Sequence, residues 1–177
     1  QIVIISAKPI FDLYGKELIS GFTEGQQVQV LLVPDGEKSK SLKQTEALYT
    51  RLLEKKFERG VLIVALGGGV IGDLAGFVAA TYLRGVDFVQ VPTTLLAQVD
   101  SSIGGKTGIN HELGKNLIGA FNQPLFVLSD TEVLNSLPDA EIRCGLGEVI
   151  KYGFILNKLF FEYLNEHLQS ALSKEAE

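Results

Sequence analysis

Short apolar runs alternate with stretches in which apolar residues recur every three or four positions, and this alternation organises the chain up to about residue 130. Residues 1–5, apolar and β-branched after Gln1 and bounded by Ser6, Ala7, Lys8 and Pro9, predict a buried strand. Residues 10–20 predict a helix with Leu13, Leu18 and Ile19 turned inward, and residues 27–33 a second strand that Pro34, Asp35 and Gly36 end in a turn. Ser41 with Gln44 three residues on fits a capping box. The helix it opens carries Leu48, Leu52, Leu53 and Phe57 at helical spacing, with Gly60 as its stop. Residues 61–66 are uniformly apolar, as in a parallel strand covered on both faces. A glycine-rich turn at 67–72 leads into a helix at 73–83, and further strands are predicted at 86–91 and 125–128. Strands alternating with helices predict an α/β fold built on a parallel sheet.

From about Pro138 the pattern changes. Ser136 reads as an N-cap with Pro138 and Asp139 in the first turn, and two helical segments follow at 139–154 and 156–171. Phe160, Tyr163, Leu164 and Leu168 share one face of the second. The chain therefore divides into an α/β domain, 1–137, and the first helices of an all-helical region, 138–177, expected to leave an apolar face open. The chain begins at Gln1 and contains no Met, which reads as a portion of a longer protein.

Composition mainly excludes. Apolar residues make up 46% and charged residues 21%, ordinary for a globular chain. Net charge is 16 − 21 = −5 with no run of basic residues, which argues against nucleic acid as a partner. The longest apolar run, 61–72, is too short to span a membrane, and no signal peptide opens the chain. Cys144 is the single cysteine, so no internal disulfide forms, in keeping with a cytoplasmic setting. With only His111, in an expected loop, His167 and Cys144 as soft ligands, no spacing resembles a closed zinc site.

Glycine changes the picture. Eleven of the 19 glycines fall between Gly67 and Gly119, interleaved with Val, Ile and Leu, so the backbone there must turn tightly or let something approach. Gly67-x-Gly69-x-x-Gly72 joins a strand to a helix, where open amides bind anions and a side chain would block a phosphate. A tight turn without function has the same spacing. Asp87, 20 residues after Gly67, starts the next strand rather than ending it, so Thr93 and Thr94 at its carboxyl end are the better candidates for ligand contact. Asp100-Ser101-Ser102-Ile103-Gly104-Gly105-Lys106-Thr107-Gly108, and then Gly114-Lys115-Asn116, place lysines in glycine-rich loops, which suits phosphate or carboxylate ligands as well as ordinary surface lysines. Position 100 is Asp and not Gly, which excludes a P-loop. Glu148 and Lys151 share a helix face, with Glu141 seven residues earlier, and read as an ion pair or as groups that bind something.

Taken in order, these strings resemble the 3-dehydroquinate synthase family of the sugar phosphate cyclase superfamily. The matching stretches are Pro34-Asp35-Gly36-Glu37 with Lys40-Ser41, Ala65 through Leu74, Tyr82-Leu83-Arg84-Gly85, Val91 through Leu96, Val99 through Thr107, Gly114-Lys115-Asn116 and Gly147 through Gly153. The resemblance implies a Rossmann-like parallel-sheet nucleotide-binding domain that takes NAD. Asp35, Glu37, Lys40, Gly69, Val70, Ile71, Gly72, Asp73, Thr93, Thr94, Lys106, Lys115, Val133, Leu134, Asn135 and Ser136 fall at its cofactor-contacting positions. Asp100, Lys106, Asn116 and Lys151 fall at substrate positions, and Arg84 at the position of an arginine lent to a partner subunit's substrate phosphate, which implies a homodimer. Glu148 falls at one of three ligands to zinc (or cobalt), the other two being histidines beyond this chain.

The implied activity is that of a phosphate-eliminating lyase of the shikimate pathway. A seven-carbon keto-sugar acid phosphate (DAHP) is oxidised by NAD, loses phosphate, is reduced by the same NADH and closes to 3-dehydroquinate. The chain on its own is expected to be inactive, lacking two metal ligands. Ser6, Ala7 and Lys8 depart from the Asp/Asn-type contact the family often carries at the end of the first strand. Two alternatives remain: a related cyclase of the 2-epi-5-epi-valiolone or 2-deoxy-scyllo-inosose synthase type, and a nucleotide-binding module without turnover.

Overall fold

The computed structural model describes residues 1–174. Four parallel strands, β1 (Ile2–Ala7), β2 (Val28–Val33), β3 (Leu62–Gly67) and β4 (Asp87–Pro92), form one sheet in the order β2-β1-β3-β4. Helix α1 (Lys8–Ser20) follows β1, α2 (Leu42–Glu54) follows β2, and α3 (Gly69–Thr81) follows β3. Strand side chains alternate between two faces, and both faces are covered. Ile2, Ile4, Val64, Leu66 and Val89 pack with Ile10, Phe11, Tyr14 and Leu18 of α1. Val3, Ile5, Ile63, Ala65 and Phe88 pack with Leu48 and Leu52 of α2 and Leu74 and Val78 of α3.

Several sequence expectations shift. Leu13 and Leu53 are exposed, while Phe11 and Tyr14 take the inward places on α1. The Ser41 hydroxyl caps α2 by accepting from the Gln44 amide at 3.2 Å, as expected. That helix stops at Glu54 rather than at Gly60, because Lys56 adopts the left-handed conformation (φ 55°) that ends it. Phe57 reaches the core from beyond the helix. Residues 125–128 do not form a full strand. They run beside β4 through a single parallel bridge, Gln90 to Val127, and three backbone hydrogen bonds.

The largest difference is an antiparallel hairpin, β5 (Lys106–His111) and β6 (Gly114–Phe121), where the sequence reads as glycine-rich loop. His111 thus ends a strand, not a loop. Gly108 and Gly119 face each other across the pair, and a Cβ on Gly119 would lie 2.3 Å from the Thr107 carbonyl oxygen. The strands come this close only because both positions lack a side chain. The hairpin stands on α3, where a Cβ on Gly76 would meet Thr107 at 2.4 Å.

After the short turn Thr131–Ser136 come α4 (Asp139–Leu156) and α5 (Lys158–Ser173). Ser136 does not cap α4. Its hydroxyl closes its own turn on the Val133 carbonyl, and Pro138 stands at the cap. Leu137, Ile142 and Leu146 form a small separate core with Leu168, Ala171 and Leu172 of α5, and of the four α5 residues expected on one face Phe160 and Tyr163 stay exposed. Among the described residues, no helix is long and apolar enough to cross a membrane.

Candidate functional site

Three loops converge at the carboxyl ends of the parallel strands, where open α/β sheets bind ligands. β2 runs into the turn bearing Asp35, Glu37 and Lys40; β3 runs into Gly67, Gly68 and Gly69; and β4 runs into Thr93 and Thr94. Gly36 (φ 89°) makes the first turn. Asp35 accepts from the Gly36 amide. At the second, α3 begins immediately after β3, so its first amides have no partner within the helix. A Cβ on Gly69 would lie 2.8 Å from Ser101 Oγ, one on Gly68 3.1 Å from Thr94 Cγ2, and one on Gly72 2.7 Å from Gln90 Oε1. The third loop places buried Thr93 against the glycines, its amide donating to the Gly67 carbonyl at 3.0 Å. Thr94 Oγ1 accepts from the Ala97 amide, opening a single π turn, Ala97–Ser101. The hydroxyls of Thr93, Ser101 and Ser102 are buried and have no protein hydrogen-bond partner. Unpartnered buried hydroxyls are rare and call for an explanation. Beside a side-chain-free helix N-terminus they suit a phosphate-bearing ligand, so the residues fit the pyrophosphate of NAD. Val70 and Ile71 continue the same first turn.

A second group ties the Glu37–Lys40 turn to α3 and the hairpin. Lys40 is 4% exposed, and its Nζ donates to Asp73 Oδ2 and to Asn116 Oδ1, both at 2.5 Å. Burial pushes the Asp73 carboxyl above its ordinary 3.8, and the Lys40 hydrogen bond and charge oppose that rise. Lys115 lies 3.8 Å from Glu37 at the surface. Asp73, Lys106, Asn116 and Phe121 are among the residues lining a cavity of about 370 Å³ between α3 and the hairpin.

A third group sits on α4. Lys151 pairs with Glu148 and lies 3.9 Å from Asp100, and the Tyr152 hydroxyl donates to Asp100 at 3.4 Å. The hydrogen bond to Glu148 raises the Lys151 pKa above its ordinary 10.5, so this lysine is a fixed cation at neutral pH. α4 reaches Asp100 because Gly145 seats it on Leu95 and Leu96; a Cβ there would be 2.6 Å from Leu95 Cβ.

Not every sequence candidate joins these groups. Val133, Leu134, Asn135 and Ser136 form the Thr131–Ser136 turn, held to α1 by Tyr14, whose hydroxyl donates to the Val133 carbonyl and contacts Ser136 Oγ. Arg84 lies at the other end of the sheet, just before β4, exposed and at φ 70° beside Leu83 at φ 49°. Six strand residues at ~3.3 Å each put it about 20 Å from Thr93. Lys8, at the end of β1, turns to Asp12. Among the described residues, no group of three or more His, Cys, Asp or Glu could hold a metal. Glu148 is the metal candidate from the sequence, and it is paired with Lys151, so a zinc or cobalt site is not complete in these residues. Sequence reasoning gave no role to Tyr152 or Gln90, whose contacts lie 52 residues away and beneath Gly72.

Comparison with known proteins gives a consistent picture. Residues 30–144 match the family described as 3-dehydroquinate synthase N-terminal. A 3-dehydroquinate synthase from Nitrosomonas europaea is 52% identical over 173 residues, 97% of this chain and 47% of that protein. The chain thus spans about half the length of the curated relatives it matches. A solved 2-deoxy-scyllo-inosose synthase, complexed with carbaglucose-6-phosphate, NAD+ and Co2+, superposes with a TM-score of 0.83 at 34% identity over 88% of this chain and 42% of that one. The 2-epi-5-epi-valiolone synthase from Streptomyces hygroscopicus subsp. jinggangensis 5008, with NAD+ and Zn2+ bound, gives 0.85 at 28% identity over 98% of this chain and 48% of that one.

Proposed function

Because the chain belongs to the 3-dehydroquinate synthase family, we propose that it is the nucleotide-binding portion of a phosphate-eliminating cyclase that converts a seven-carbon keto-sugar acid phosphate to 3-dehydroquinate, with NAD used catalytically. The observation that carries this reading is the start of α3, where a Cβ on Gly69 would strike Ser101 Oγ and where the Thr93, Ser101 and Ser102 hydroxyls have no protein partner. Bound NAD supplies hydride acceptance and return. The Gly69 and Val70 amides hold its pyrophosphate, and Thr93 and Ser101 donate to it. Lys40 donates to Asp73 and Asn116 and so fixes the wall of the cavity between α3 and the hairpin. Lys106, at the mouth of that cavity, and Lys151 are the cations for substrate phosphate and carboxylate. Lys151, beside Glu148 and Asp100, is placed to orient the substrate. Asp100, beside Lys151 and Tyr152, is the carboxylate placed to meet a substrate hydroxyl. Glu148 is the residue here that would offer a ligand to a metal; among the described residues no group of three or more could hold one.

We read 1–137 as the NAD domain and 138–177 as the start of a helical one; the cluster of Leu137, Ile142 and Leu146 with Leu168, Ala171 and Leu172 stands apart from the two cores of the sheet, and Leu95 and Leu134 pack on it from the first part. Arg84 serves a partner subunit in a homodimer. Its place at the far end of the sheet and the two consecutive non-glycine residues at positive φ support this, since such strain costs ~1 kcal/mol or more per residue and persists where function needs it. The free Cys144 fits a cytoplasmic enzyme.

Calorimetric titration tests the reading. The 177-residue chain binds NAD, and Gly69→Val abolishes that binding by filling the cradle. Mixed with NAD, zinc and the seven-carbon substrate, the chain alone is expected to release no phosphate, because among the described residues no group of three ligands could hold the metal. No binding heat with NAD would overturn the site, and sustained phosphate release would overturn the partial-site reading.

A further inference from the structure

The hairpin holds a polar residue that the proposed roles leave out. Between the pairs Ile109–Ile118 and His111–Gly114 the register shifts, so Asn110 stands alone opposite Lys115, Asn116 and Leu117. Such a bulge re-aims side chains and is frequent beside active sites. Here it turns Asn116 into the left-handed conformation, φ 57°. Asn110 then makes three hydrogen bonds outside the regular ladder, two to the Glu37–Lys40 turn and one to the facing strand. Its amide N–H donates to the Lys40 carbonyl at 2.9 Å. Its Nδ2 donates to Glu37 Oε1 at 2.7 Å, and its Oδ1 accepts from the Asn116 amide at 2.9 Å. Lys40 Nζ closes the ring by donating to Asn116 Oδ1.

We propose that Asn110 is a positioning residue that locks the cofactor-side turn bearing Glu37 and Lys40 to the substrate-side Asn116, so that the two halves of the site move as one unit. The residue type follows from its neighbours. A carboxylate can only accept and a backbone amide can only donate, so the side chain between them must carry both a donor and an acceptor. That requirement also fixes which end of the Asn110 amide faces Glu37. An aspartate would keep the bond to the Asn116 amide and set two carboxylates against each other at the Glu37 end.

This inference rests on the NAD site proposed above, and the test separates the two. Amide exchange of the full chain is recorded by NMR without NAD, and NAD affinity is measured by calorimetry. In Asn110→Ala, exchange at the Asn116 amide quickens and NAD binds more weakly, each by about tenfold, the size of a lost hydrogen bond to a charged or ordered group. Amides of β1 and β3 keep their protection. In Asn110→Asp, Asn116 stays protected but NAD affinity falls; made in a Glu37→Gln background and compared with Glu37→Gln alone, the same change costs little, because the new amide donates to the new carboxylate. A purely structural defect would not be rescued in this way. Should the alanine variant fail to fold, the isosteric aspartate variant and its rescue decide the matter. Unchanged protection at Asn116 together with unchanged NAD affinity in Asn110→Ala overturns the lock, as does an Asn110→Asp change that costs as much in the Glu37→Gln background as in the unsubstituted chain. If the unsubstituted chain takes up no NAD, the cofactor reading fails, and exchange at Asn116 in the ligand-free variants decides the lock by itself.

Discussion

Lys40 carries more structural consequence than any other single charge in the site. It is the partner of a half-buried carboxylate, and the two interactions that hold the Asp73 pKa down both come from it. Removing the buried member of such a pair leaves the other uncompensated, so Lys40→Met is expected to cost about 2 kcal/mol at neutral pH, less than for a fully buried pair. The pH dependence has a definite sign. Burial raises the native Asp73 pKa above 3.8, so the native state holds that proton more tightly than the unfolded chain. The linked stability is full below 3.8 and is lost as pH rises through the native value. Without Lys40 that value climbs further. The cost in Lys40→Met is therefore greatest at neutral pH and shrinks as pH falls toward 3.8, and urea denaturation across that range reads it. A second change, Asp73→Asn, recovers most of the loss; a penalty independent of pH would contradict the argument. The sequence showed that Lys40, Asp73 and Asn116 belong to a site, through resemblance. It could not show that one ammonium bridges the other two, because they lie 33 and 76 residues away and only the packing of α3 against the hairpin brings them together.

At the level of elements, glycine decides how closely parts dock. Two of the glycines on α4, Gly145 and Gly147, lie two residues apart and have opposite surroundings. A Cβ on Gly145 would meet Leu95 Cβ at 2.6 Å and the Leu96 backbone nitrogen at 2.7 Å, whereas one on Gly147 would meet nothing within 4 Å. Gly145→Ala should thus lift α4 from the 93–96 turn, moving Lys151 and Tyr152 off Asp100, and cost about 1–3 kcal/mol as overpacking does. Gly147→Ala should add up to ~1 kcal/mol of stability, the helix-propensity difference alone. Thermal denaturation of the two variants side by side checks the opposite signs, and equal effects would show that α4 is not seated as described. Strands β1, β3 and β4 were legible because both faces of the sheet are covered and their residues are mostly apolar, with Ser6, Asp87 and Gln90 as the exceptions. The β5–β6 hairpin was not. Lys106, Asn110, Lys115 and Asn116 interrupt its apolar pattern, and Gly108 and Gly119 look like loop residues until their backbones are seen to touch. Leu13 and Leu53 misled for the converse reason: helical spacing names a face, and an apolar residue at its border can still face water.

Taken whole, the molecule is unevenly covered. The sheet is packed on both faces, yet α4 and α5 meet at a junction whose outer residues are open: Leu156 is 74% exposed, Leu159 76% and Ile155 66%. The helices hold each other through Phe161 against Gly153 and the edge-on Phe154–Phe161 pair. The open residues are therefore not what keeps the pair folded. A contiguous apolar patch of this kind favours association in water or the binding of apolar dyes. Two consequences separate. Sedimentation velocity should show the chain associating as its concentration rises, and bis-ANS should fluoresce on it. Leu156→Gln with Leu159→Gln should suppress both, while folding stability changes by no more than about 0.5 kcal/mol, as for exposed substitutions generally. The homodimer proposed through Arg84 uses the opposite region of the chain, near the start of β4, and should survive that double substitution. If the double variant instead abolished every associated species, the helical junction would be the only contact between copies, and the role proposed for Arg84 in a partner's site would fall with it.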